Sequence, residues 1–208
     1  MKRKIDEPYF EYDLSEGNIE AAIGEHRIEG KIYQGQECRE DLYDISFFGC
    51  QFENVVFTGK VRGCQFADCR FDHCEFSNIH MNESVMRRVI LKTCRFMGTD
   101  MSRSLFQDTQ WLSSQCSYIN LSDSKFTSCR MKDSVFAEAS FSMCKFKDTE
   151  LSASDFTKGE FLNTSLKGLD FSDSKIEGFL INPESLRGCT MNYDQAVACA
   201  LLLGIKVK

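Results

Sequence analysis

Cys64-Gln65-Phe66-Ala67-Asp68-Cys69-Arg70-Phe71-Asp72-His73-Cys74-Glu75-Phe76 decides the fold. Phe66, Phe71 and Phe76 stand five residues apart, and Cys64, Cys69 and Cys74 keep the same beat two residues earlier. Stepping by five from Phe66 reaches Met191 in 26 consecutive positions without one charged or amide residue. A five-residue period is neither the 3.6 of a helix nor the 2 of an ordinary strand. Self-similarity at a fixed period marks a repeat architecture. Residues two apart in an extended segment face the same side, so both positions point inward and the other three face water. Each pentad reads as one short strand plus a corner.

The pattern of small residue, polar residue, Phe or Leu, polar, polar resembles the pentapeptide-repeat proteins, as in Cys69-Arg70-Phe71-Asp72-His73 and Ser154-Asp155-Phe156-Thr157-Lys158. The resemblance covers residues 64–193. It implies an all-β fold, a right-handed quadrilateral parallel β-helix with four pentads per coil. Residues 20 apart should then stack at roughly the 4.7–4.9 Å strand spacing, in a rod of roughly 35–40 Å. Two expected core ladders are Phe76, Phe96, Cys116, Phe136, Phe156, Ile176 and Phe66, Met86, Phe106, Phe126, Phe146.

Three divisions are expected: an N-terminal capping segment over 1–40, the β-helix over 41–193 and a C-terminal helix/strand module over 194–208. Glu16 to Ile23 reads as a short helix, and Ile28 to Tyr33 as a strand. Phe47, Phe52 and Phe57 are earlier centres, and Leu42 and Ile32 carry the phase backwards. From Phe57 to Phe66 the spacing is nine, so one residue is missing near Gly59 and Gly63. Both glycines could supply positive φ there. The site reads as a shortened corner or as a partner-contacting kink.

Eleven cysteines could suggest a disulfide scaffold. Eight fall on the small inward position and Cys116 on a centre, where a free thiol acts as a small hydrophobe. Zinc binding by Cys64, Cys69 and Cys74 is the sharper alternative, although their spacing departs from C-x₂₋₄-C. Cys74 and Cys94 should stack close enough to oxidise.

Net charge is −6, which makes free nucleic acid an unfavourable direct partner. No apolar run suggests a signal peptide or a membrane span, so a cytoplasmic location is expected. The wall centred on Phe66 and its 20-residue successors carries seven basic and three acidic residues, net +4. The histidines, His26, His73 and His80, suggest no convergent site. No phosphate loop or buried carboxylate pair stands out. Neither an enzyme nor a cofactor is expected.

Tyr193-Asp194-Gln195-Ala196 through Leu203-Gly204-Ile205-Lys206-Val207 closes the chain. Asp194 reads as an N-cap and Gly204 as the helix stop, with Ile205 and Val207 as a following strand. This tail resembles the end of the Qnr-type fluoroquinolone-resistance proteins. The unbroken register from 66 to 191 is similar to their loop-less branch. The resemblance implies a homodimer joined through Tyr193, Gln195, Ala196, Val197, Ala200, Leu201, Leu203 and Ile205; an intramolecular cap is the alternative. It further implies a DNA-mimicking protein that binds a type II topoisomerase, DNA gyrase or topoisomerase IV, and protects it from fluoroquinolones. The acidic positions suited to such a partner are Glu150, Asp155, Glu160, Asp170 and Asp173. The competing expectation is a scaffold rod with another protein partner.

Overall fold

The computed structural model describes residues 3–10, 13–202 and 204–207. The chain winds through about eight turns of a solenoid whose strands all pair in parallel. In the central coils the register advances by 20: Phe66 pairs with Met86, Met86 with Phe106, Phe106 with Phe126 and Phe126 with Phe146. Four walls result, centred on Phe66, Phe71, Phe76 and Met81 and their successors.

Both inward positions have a physical reason. The centres stack ring on ring, as in Phe76–Phe96 (4.8 Å), Phe106–Phe126 (4.9 Å) and Phe136–Phe156 (5.4 Å). Such offset contacts add to the apolar burial. The small position is often a serine because its hydroxyl bonds the backbone of the coil before it. Ser114 Oγ accepts the Cys94 N–H (3.1 Å) and donates to the Leu91 carbonyl (3.3 Å). Ser104, Ser124, Ser134 and Ser154 accept a neighbouring coil's N–H in the same way. These buried hydroxyls satisfy backbone groups that would otherwise be orphaned.

The last residue of each pentad makes the corner. Except on the four-residue side between Phe57 and Val61, it adopts left-handed φ from Asp44 (φ 56°) to Asn163 (φ 55°), including at Thr93, Met143 and Ala153. That conformation disfavours L-residues other than Gly, Asn and Asp. The lateral hydrogen bonds between coils must offset the cost at every corner.

The N-terminal third departs from the expected phase. Ile28 pairs with Phe47, Tyr33 with Phe52, Cys38 with Phe57 and Leu42 with Val61, each 19 residues on. The inward centre is therefore Tyr33, stacked 5.0 Å from Phe52, and not Ile32. Each of these coils has one four-residue side, Cys38 to Leu42 and then Phe57 to Val61. The missing residue is thus a stacked feature of two coils rather than one tightened corner. Only Gly63 of the two glycines has positive φ (68°). Gly59 is instead pressed against the Glu40 carbonyl, where a Cβ would collide.

The boundary set at 40/41 falls inside the stack. Arg27–Glu29 and Lys31–Gln34 already form coil strands on either side of a Gly30 corner. Before them, the strand Ser15–Glu16 pairs with Lys31 and Ile32, and Ile19–Ala22 forms a 3₁₀ turn rather than a longer helix. Ile19 and Ala22 are buried over the first coil. Ahead of these, residues 3–9 run along the outside of the Phe66 wall as a strap. Tyr9 N–H donates to Asp68 (3.1 Å) and Asp6 N–H to Asp108 (3.3 Å), while Arg3 pairs with Asp108 (3.4 Å). Ile5 and the Asp108 side chain (1 % exposed) are buried there.

Candidate functional site

At the C-terminal end, Phe179 occupies a small inward position because Gly159 beneath it leaves room, and its ring lies 4.8 Å from Phe161. The 3₁₀ turn Pro183–Leu186 follows, and then helix α1, Tyr193–Leu202. The N-cap is Asn192, not Asp194. Asn192 Oδ1 accepts the Gln195 N–H (3.0 Å), and Gln195 Oε1 accepts the Asn192 N–H (2.9 Å). This is the reciprocal capping-box geometry. The sequence signal was available in the Asn192-x-x-Gln195 spacing. Gly204 does stop the helix: its N–H bonds the Leu201 carbonyl, and Ile205 N–H bonds that of Ala200, a Schellman pattern. Ile205 and Val207 form no strand among the described residues.

The expected dimerisation residues divide. Gln195 is engaged within the chain: its Nε2 donates to the Phe171 (2.9 Å) and Ser174 (2.7 Å) carbonyls, closing part of the open last coil. Asn192 Nδ2 does the same for Ser172 (2.9 Å). Val197 and Ala200 are half-buried, whereas Ala196 is exposed. Tyr193 (80 %), Leu201 (58 %) and Ile205 (53 %) project into solvent. Leu203 lies outside the described residues. A cleft of about 430 Å³ between α1 and the last coil is lined by Ile176, Phe179, Gln195 and Cys199, among others.

The five acidic residues do not converge. Glu150, Asp170 and Asp173 belong to the Phe71 wall, Asp155 to the Phe76 wall and Glu160 to the Met81 wall. Two are already matched by cations: Glu150 by Arg130 (2.8 Å) and Asp155 by Lys175 (3.5 Å). Although burial raises the Asp155 carboxyl, bonds from Thr157 and the charge of Lys175 leave it below its ordinary value. Asp170 accepts from Ser172 N–H (2.9 Å), which fixes its orientation.

All eleven cysteines are free thiols, nine of them buried. Burial pushes Cys64 up to about 11 and Cys129 and Cys144 up to about 12. A zinc ligand must be a thiolate, so these positions resist metal binding. Among the described residues no group of three His, Cys, Asp or Glu is placed to hold a metal. His73 and His80 stay on different walls, beside Asp72 (2.6 Å) and Asp100 (3.6 Å) respectively. No helix of the described residues is long and apolar enough to cross a membrane.

Residues 64–141 match the family model described as a pentapeptide repeat region. No curated protein matches the chain. Among solved structures, full-length QnrB1, a plasmid-mediated fluoroquinolone resistance protein, is similar over 86 % of this chain and 100 % of its own, at 16 % identity and a TM-score of 0.47. HetL, a pentapeptide repeat protein involved in heterocyst differentiation regulation from the cyanobacterium Nostoc, covers 83 % of this chain and 94 % of its own, at 11 % identity and a TM-score of 0.39. Rfr23 from the cyanobacterium Cyanothece covers 84 % and 97 %, at 8 % identity and a TM-score of 0.34. The inward pair repeating every five residues and the four sides of each central coil agree with the family match, and residues 64–141 form a pentapeptide repeat region.

Proposed function

We propose that this chain is a non-enzymatic interaction rod that dimerises through its C-terminal module and binds a type II topoisomerase, protecting it from fluoroquinolones. The observation that carries the reading is α1 with its tail, whose sequence resembles the Qnr-type ending. Its inner side seals the last coil through Gln195, while Tyr193, Leu201 and Ile205 leave an apolar outer side uncovered. A second copy would cover that side. Buried side chains pack the interior of the coils, which favours action by surface contact.

The test is a gyrase supercoiling assay with a fluoroquinolone, titrating the purified protein. Restored supercoiling at low micromolar protein is the expected result. No effect on gyrase or topoisomerase IV overturns the reading. One observation favours a second reading, a rod with a different protein partner. The acidic residues at the seam are spread over three walls and partly neutralised, which suits DNA mimicry poorly. Charge reversal at Asp170 and Asp173 separates the two: topoisomerase binding is lost under the first reading and kept under the second.

A further inference from the structure

Stacked charges in this solenoid generally alternate in sign from coil to coil. Arg62, Glu83 and Arg103 form one such column, and Asp68 with Arg88 another. Glu75 pairs with Arg95, Arg130 with Glu150, Glu138 with Lys158 and Asp155 with Lys175. Like charges placed directly opposite across strands destabilise a sheet, so the alternation is what stability alone would favour.

The C-terminal half of the Phe66 wall breaks the rule. Lys125 pairs in register with Lys145. Lys147, Lys167 and Arg187 follow one another at 20-residue steps two positions along the same wall. All five side chains are exposed, and none forms an ion pair among the described residues. Elsewhere, Glu53 stacks on Asp72 and Glu150 stands one coil from Asp170, but Lys92 and Arg130 relieve those acids. Asp148 also stands on this stretch of the wall, but it forms no ion pair with these cations among the described residues. Its rungs are roughly 4.8 Å apart and its two columns roughly 6.6 Å apart. A local rule broken without a compensating contact is where a functional surface is expected.

The N-terminal half of this same wall shows what such a face holds. There the strap of residues 3–9 lies extended along the coils, its N–H groups and Arg3 gripped by Asp68 and Asp108. Past Asp108 the wall turns basic. We propose that the Lys125–Arg187 face binds an extended, acidic segment of a partner protein, laid along the wall as the strap is laid on its first coils. Charge complementarity selects the partner. The chain's net charge of −6 opposes long-range approach of a nucleic-acid duplex more than that of a short acidic peptide. The surface lies on the rod's flank and is separate from α1.

Fluorescence anisotropy with a labelled 12-residue polyglutamate peptide tests this on the full-length protein. The peptide should bind at 50 mM salt and weaken about tenfold by 300 mM, because exposed charges are screened. The double variant Lys145→Glu/Lys147→Glu should bind about tenfold more weakly. Lys132→Glu, on the Phe71 wall, should bind as the parent does. Each reversal at 145 and 147 relieves like-charge stacking, so the double variant's Tm should hold or rise; weak binding with an intact Tm separates lost recognition from lost folding. The proposal is overturned if the peptide does not bind or if the double variant binds it unchanged. It is also overturned if a 12-base-pair duplex DNA binds more tightly than the peptide and loses that binding in the double variant.

Discussion

The coils before Arg62 and those after it solve the same packing problem with different chain lengths. Both stack aromatic centres: Phe52–Phe71 at 4.4 Å and Phe57–Phe76 at 4.6 Å in the early part, Phe126–Phe146 at 4.8 Å and Phe141–Phe161 at 4.9 Å later. The early coils advance by 19 residues and the later ones by 20. Several early corners are glycines (Gly30, Gly35, Gly49, Gly63), whereas nearly all corners from Asp68 to Asn163 carry side chains at positive φ. The lesson is that the core column is the invariant. Side length can change by one residue provided the coil stacked on it changes too, as Cys38–Leu42 and Phe57–Val61 do.

The strongest way to break this comparison is to break the column itself. Phe136 is fully buried against Phe156. Phe136→Asp should cost about 5 kcal/mol, the loss of a packed ring plus an unpaired buried charge. Urea unfolding followed by the fluorescence of Trp111, the chain's one tryptophan and fully buried, reads this directly. A loss below about 2 kcal/mol would mean that the column is not what holds the coils.

A sharper test sets one glycine from each region side by side. Gly59→Ala should destabilise by about 2–3 kcal/mol, since the new methyl meets backbone at Glu40 that cannot swing away. Gly98→Ala, in a 20-residue coil, meets only the Asn78 side-chain oxygen at 2.6 Å and should cost about 1 kcal/mol. Equal losses in urea melts would show that the four-residue side is no tighter than an ordinary corner.

The smallest effect lies at the junction of the two regions. Glu83 bridges Arg62 of a 19-residue coil and Arg103 of a 20-residue one. Hydrogen bonds from Arg62, then from Arg103, hold its carboxyl below the ordinary value of 4.5. A carboxyl depressed in the folded state stabilises above its unfolded pKa, and that contribution disappears as pH falls through the folded one. Glu83→Gln should therefore lower Tm slightly at pH 7, where the parent's bridge is charged, and converge with the parent as pH falls from 5 to about 3, so that its acid decline is flatter. An unchanged acid limb would show the bridge to be energetically silent, as many exposed pairs are.

The repeat was legible because an inward charge is intolerable, so the five-residue beat of uncharged positions is written without gaps from Phe66 to Met191. The phase held back to Leu42 and failed behind it, because the side from Cys38 to Leu42 is a residue short. Glu37 could have signalled it: a charge where the extrapolated phase demands an inward centre, with Cys38 uncharged beside it. The acidic site was legible only as a list of residues. Whether Glu150 or Asp155 is free depends on Arg130 and Lys175 one coil away, and pairing by stacking is invisible until the coil length is fixed. The strap left no periodic trace, since its grip on Asp108 spans 105 residues of sequence.

That last contact has a consequence for synthesis on the ribosome. Arg3 emerges first, but its anchor Asp108 follows only after about a hundred more residues, roughly 5–20 s later at ordinary elongation rates. Every coil between them can wind locally as it appears, needing contacts only 19 or 20 residues back. The strap closes last over that stretch, and only on coils whose Asp68 and Asp108 have come into line. A coil wound out of register would leave the first residues nothing to hold.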